Sequence, residues 1–231
     1  MKQNLSRRLV AEALGSAMLV ATVVGSGIMA ESLTKDVGLA LLANTLATGS
    51  MLVVLITCLG PLSGAHFNPV VSLVFRLRGD LNLSHCALYV LAQIAGGLAG
   101  ALVAHAMFGL PLVDFSLKVR AGPAQLFSEW VATFGLVTTI LAGLSADRRA
   151  LPWLVGLYIT AAYWFTASTS FANPAVTLAR ALSNTFSGIR PADAPLFILA
   201  QIAGGLCAFI LMNWLLSRDV ISSARSQEAS S

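Results

Sequence analysis

The sequence predicts an all-α membrane protein: six transmembrane helices plus two reentrant half-helices, arranged as an inverted repeat. Three observations carry that prediction. The chain is 57% apolar and only 10% charged, with a mean hydropathy of +0.80, outside the range of an ordinary soluble domain. Two of its apolar stretches are broken by an Asn-Pro pair, in SGAHFNPVV (63–71) and TSFANPAVTLAR (169–180). The chain also repeats itself, most plainly in LAQIAGGL, which stands at 91–98 and again at 199–206.

The first expected span, 9–30, carries a single charge, Glu12, over a length that crosses a hydrocarbon core of roughly 30 Å. It is longer than the apolar region of a signal peptide and contains a carboxylate, which argues against cleavage. Further spans are expected at 38–60, 84–108, 124–145, 151–168 and 195–216. Each Asn-Pro segment follows the second span of its half and precedes the third. The connections are short, and 219–231 is polar, rich in small residues and expected to be disordered. Cys58, Cys86 and Cys207 lie in apolar context without metal or redox spacing and are read as packing residues. The net charge of +4 arises from basic residues scattered among the connections, so no nucleic-acid surface is expected.

AEALGSAMLV (11–20) corresponds to SEWVATFGLV (128–137), so Glu12 pairs with Glu129 at an offset of 117; Asn68 pairs with Asn173 at 105 and Gln93 with Gln201 at 108. Repeats of about 5–115 and 120–218 follow. Each contains three spans, and an odd number of spans inserts the second copy upside down. With both termini in the cytoplasm, nine Lys and Arg face inward, Arg148 and Arg149 among them, and five outward.

In a bilayer, non-helical backbone survives only where protein buries it or where it lines a watery cavity. Proline suits the first position of a helix because it has no N–H to leave unpaired, and a preceding Asn caps the next amides. Asn68-Pro69-Val70 and Asn173-Pro174-Ala175 therefore start two half-helices too short to span alone. Inversion brings their N-termini to the bilayer midplane, where two positive dipole ends repel cations. An amide NH₂ from each Asn, turned to the lumen, offers donors to a solute oxygen. Either pair alone is also what an ordinary helix-starting turn looks like.

These motifs, in this order and over Glu12 to Leu216, resemble the aquaporin and aquaglyceroporin family, the major intrinsic proteins. The resemblance implies a single channel domain over 1–231, a homotetramer with one passive pore per subunit, and a multi-pass protein of the inner (plasma) membrane. The first box reads Asn-Pro-Val where Asn-Pro-Ala is commoner. The family also carries an arginine directly after the second box, and Val176 stands there. The next cation, Arg180, lies one turn, about 6 Å, further out, and is not assigned the missing role. Counted from the two Asn residues, the family's pattern implies Thr48, Ala161 and Ser170 as the other filter positions; with Val176 they form a small, neutral set. A filter wider than a water-only pore follows, suited to glycerol-like polyols, urea and undissociated metalloid acids such as arsenite or antimonite, as in bacterial members that lack this arginine and are associated with arsenic handling.

Glu12 and Glu129 admit two roles, a proton-coupling site or acceptors that hold the loops entering the half-helices; their symmetric placement favours the second. Gln93 and Gln201 are expected to satisfy loop carbonyls, and Gly96 and Gly100 to let helices approach closely. His66, two residues before Asn68, is either a vestibule group able to gate flow or a hydrogen-bonded loop histidine. No nucleophile with its base, metal-ligand cluster or phosphate loop stands on an accessible segment, so neither an enzyme nor a cofactor is expected. The competing class is an ion-coupled secondary transporter, which needs an ion site at the midplane. A junctional or sensory protein with a vestigial pore calls for bulky filter residues instead.

Overall fold

The computed structural model describes residues 4–217; the tail expected at 219–231 lies outside them. Among the described residues there are eight α-helices: α1 (Leu5–Leu33), α2 (Val37–Ser63), α3 (Pro69–Leu77), α4 (Leu83–Met107), α5 (Pro123–Ala146), α6 (Leu151–Phe165), α7 (Pro174–Arg180) and α8 (Ala194–Leu215). Among the described residues there is no strand, only an isolated parallel bridge between Asp114 and Ser183.

The helices begin where local chemistry starts them. Asp36 accepts from the Leu39 N–H and Asn82 from the His85 N–H, while α3, α5 and α7 open on proline. α2 runs through Pro61 and stops three residues past the expected end of its span. The break belongs to Gly64, whose φ of 96° is left-handed and closes the helix by donating to the Gly60 carbonyl. α6 ends at Phe165, short of the expected 168, because Thr166 turns extended and leads into the second Asn-Pro loop. Its 15 residues reach about 22 Å, so among the described residues five helices are long and apolar enough to span alone and α6 is the shorter sixth.

Packing follows the repeat. α1 lies along α4 as α5 lies along α8, and α2 meets α6 across the centre. A Cβ on Gly96 or Gly100 would collide with the α1 backbone at Ala13 or Ala17, and one on Gly204 with that at Trp130, so glycine sets the spacing at matching places in both halves. Each half-helix is shared between the repeats: α3 packs on α4 and α8, α7 on α8 and α4. Large apolar side chains such as Val10, Leu91, Leu157, Leu199 and Ile210 are exposed, the outer face expected of a protein solvated by lipid.

Candidate functional site

The two Asn-Pro loops share one unusual backbone. Residues 64, 65 and 67 have positive φ, and so do 169, 170 and 172, each 105 positions later. Five of the six are not glycine (Ala65, Phe67, Thr169, Ser170 and Ala172), and left-handed geometry costs such residues of order 1 kcal/mol each. Buried carboxylates compensate. Glu12 accepts from the His66 and Phe67 N–H groups at 3.0 and 2.7 Å, from Ser63 Oγ at 2.6 Å and from Gln93 Nε2 at 2.8 Å. Glu129 accepts from the Phe171 and Ala172 N–H groups, both at 2.9 Å, and from Gln201 Nε2 at 2.6 Å. The glutamines differ from expectation: both donate to the carboxylates, and also to a half-helix hydroxyl, Ser72 for Gln93 and Thr177 for Gln201, rather than to loop carbonyls. A carboxylate collects donors better than a carbonyl does, because it carries the charge.

The asparagines close the centre reciprocally. Asn68 Oδ1 accepts from the Val70 N–H at 2.9 Å, and its Nδ2 donates to the Ala172 carbonyl at 2.7 Å. Asn173 Oδ1 accepts from the Ala175 and Val176 N–H groups, and its Nδ2 donates to the Phe67 carbonyl at 2.8 Å. Each amide thus caps its own half-helix and ties it to the other repeat's loop. Pro69 and Pro174 set the helix starts, and Val70 and Ala175 are buried beside them.

A narrow cavity of about 80 Å³ passes both asparagines. Its walls repeat as well: Leu19 and Val23 on α1 correspond to Leu136 and Ile140 on α5, Val71 to Val176, and Thr48, Leu52 and Ile56 on α2 to Val155, Ile159 and Tyr163 on α6. Of the four residues assigned to the filter, Thr48, Ser170 and Val176 line this cavity. Ala161 does not; it is exposed on the opposite side of α6. Residues 159 and 163 lie a turn apart on the cavity face, and 161, about 200° round from 159, cannot join them. The α6 side chain facing Thr48 is Tyr163, whose hydroxyl makes a long 3.4 Å hydrogen bond to Thr48 Oγ1, so this part of the wall carries a bulky phenol instead of a methyl. Counting back from Asn173 missed it by two residues, where the four-residue spacing of the apolar α6 face would have found it.

His66 both lines the cavity and is hydrogen-bonded, its Nδ1 lying 3.0 Å from Ser72 Oγ. Arg180, one turn beyond Val176, is only 1% exposed and also lines the cavity, with its guanidinium 3.3 Å from the Phe171 ring centroid and its Nε donating to the Ser187 carbonyl. On the far side of this cluster, the 109–122 connection folds back over the end of α7 through backbone bonds from Asp114 and Ser116 to Leu182 and Ala181. It delivers Arg120, whose Nε and Nη1 donate to the Gly188 and Ser168 carbonyls. Burial lowers the pKa of Arg120 to about 10, which leaves it cationic at neutral pH. Nothing in the composition of that connection marks it as a clamp.

Among the described residues no group of His, Cys, Asp and Glu is placed to hold a metal. The arrangement is a narrow passage with apolar walls, two amides at its centre and helix N-termini pointing into it, which favours passage of small polar solutes over ions.

Comparison with known proteins agrees. The Major intrinsic protein family profile matches residues 1–166 and 145–231. The chain is 64% identical over 228 residues to aquaglyceroporin AqpS of Rhizobium meliloti (strain 1021), covering 98% of each chain. It is 28% identical to rice aquaporin NIP2-1, covering 99% of this chain and 76% of that one. In fold it matches the aquaglyceroporin of Plasmodium falciparum with a TM-score of 0.66 at 21% identity, over 92% of this chain and 96% of that one. The chain belongs to the major intrinsic protein family, whose members are membrane channels that pass water and small solutes and are not enzymes.

Proposed function

We propose that this protein passes glycerol-like polyols, urea and undissociated metalloid acids such as arsenite or antimonite as well as water, through a filter that includes Thr48, Ser170 and Val176. The supporting observation is Val176 itself, an apolar side chain on the cavity wall at the place where the family carries a cation. The AqpS relative is named an aquaglyceroporin, which favours solutes larger than water. Tyr163 takes the place first given to Ala161 and makes the filter narrower on that side, with a phenolic oxygen available to solute hydroxyls. Glu12 and Glu129 spend their acceptor capacity on loop donors, which argues against an ion-coupled transporter. A homotetramer in the inner (plasma) membrane with both termini cytoplasmic completes the proposal.

Stopped-flow light scattering on proteoliposomes, with sucrose, glycerol and urea gradients and arsenite uptake in the same preparation, tests it. Glycerol and arsenite should enter well above the rate of empty liposomes, and Val176→Arg should depress both by about tenfold, the effect of placing a long charged side chain in the lumen. Rapid water flux with neither solute entering refutes the proposed substrate class.

A further inference from the structure

We infer that Arg180 supplies the fixed positive charge of this pore, from a position one helical turn beyond Val176, and acts there as its cation barrier and as a donor to solute oxygens. The inference rests on the channel reading above and adds the residue that sets its charge selectivity.

Val176 and Arg180 are four apart on α7, hence on one face, and both line the cavity. A buried guanidinium normally needs a carboxylate, because an unpaired charge away from water is costly. Arg180 has none: the ion pairs among the described residues are Arg78 with Asp80 and Arg190 with Asp193. The nearby buried carboxylate, Glu129, is occupied by the loop amides and Gln201, and Asp193 takes the Arg120 N–H and Arg190. The stacked Phe171 ring and the Ser187 carbonyl fix the Arg180 side chain, and its Nη1 is buried without a protein partner. Ser170 Oγ, also on the cavity wall, is likewise without one. A guanidinium N–H in that position finds its acceptor in what fills the lumen: water, or the oxygen of a passing solute.

Arg120 strengthens the same field from behind. Its guanidinium carbon lies 4.8 Å from the centroid of the Phe171 ring, but its donors go to protein oxygens and it does not line the cavity. The N-terminus of α7 lies beside Asn173 at the centre of the lumen, and Arg180, at the other end of that helix, supplies the positive charge further out. Cations are repelled there, whereas neutral oxygen-bearing solutes gain a donor.

The test uses the full-length protein in liposomes with an entrapped pH dye for proton leak, alongside glycerol flux by light scattering. Arg180→Gln should raise proton leak by about tenfold, and Arg180→Lys, which keeps the charge but not the planar fork, should restore most of the barrier. Arg149→Gln removes an exposed cation on the 147–150 connection, which lines no part of the cavity, and should change neither readout. Size-exclusion elution verifies folding of each variant. Should Arg180→Gln aggregate, Phe171→Leu removes the surface that holds the guanidinium and should give an intermediate leak. A conducting wild type whose proton tightness survives in the folded variant overturns the inference alone; a wild type passing neither water nor glycerol overturns the channel reading with it.

Discussion

At one end of the lumen the rings of His66 and Phe75 lie 4.4 Å apart; at the other the guanidinium of Arg180 lies 3.3 Å from the ring of Phe171. These are equivalent places, since 66 and 171, like 75 and 180, differ by 105. In each repeat the residue two before the Asn packs on the residue six past the first of its half-helix. Behind that layer the repeats coincide: a glutamate takes two loop amides, a glutamine bridges that glutamate to a half-helix hydroxyl, and an asparagine reaches across to the other loop. The shared part makes the break in the membrane tolerable, and the divergent part faces the solute. Duplication therefore holds the scaffold in common while each mouth is free to change.

The largest effect expected from breaking this comparison comes from the carboxylates. Glu12→Ala leaves four donors without an acceptor and Glu129→Ala three, all buried. Each buried donor left unpaired costs about 1–3 kcal/mol. Both variants should lose most of their monodisperse yield, and thermal unfolding in detergent should show a lower midpoint for each, with Glu12→Ala at least as affected. A variant of either glutamate that melts like the wild type would show that the two loops are not held alike.

Much of this scaffold is legible in the sequence because it depends on residue types that are expensive in a membrane. A carboxylate, an Asn-Pro pair and a glutamine inside apolar runs each demand a partner, and repetition at similar offsets says which belong together. What resists reading depends on angle and on backbone. Ala161 and Tyr163 are two residues apart, yet only one faces the cavity, and counting from a motif across a loop does not fix which. The left-handed residues Ala65, Phe67, Thr169, Ser170 and Ala172 carry no glycine to announce them. The burial of Arg180 depends on the 109–122 connection folding over α7, a long-range arrangement with no local signature.

The asparagines give an intermediate effect that sharpens the comparison. Asn68→Ala and Asn173→Ala each remove a helix cap worth about 1 kcal/mol and a cross-repeat hydrogen bond of similar size. The two bonds join the same pair of loops, so their losses should not be independent. The double variant should be less destabilised than the sum of the singles, read from denaturation midpoints, and water flux should fall in all three. Strict additivity would mean that each Asn serves only its own half-helix.

The smallest effect lies at the wall where register was hardest to read. Tyr163→Phe deletes a hydroxyl that makes only a 3.4 Å contact with Thr48, a weak bond whose loss costs well under about 1 kcal/mol. Glycerol flux in liposomes should change by less than about twofold, because the ring keeps its place and only one polar atom leaves the wall. Tyr163→Ala removes the ring too, and glycerol flux should rise by more than it does in the Phe variant, whereas Ala161→Val, on the outward face of the same helix, should leave it unchanged. The pair separates ring from hydroxyl and cavity face from outer face in one assay. If Ala161→Val altered flux as much as Tyr163→Ala, the assignment of the α6 cavity face to Val155, Ile159 and Tyr163 would be wrong. The pore would then have lost the correspondence with Thr48, Leu52 and Ile56 on which its two-fold wall depends.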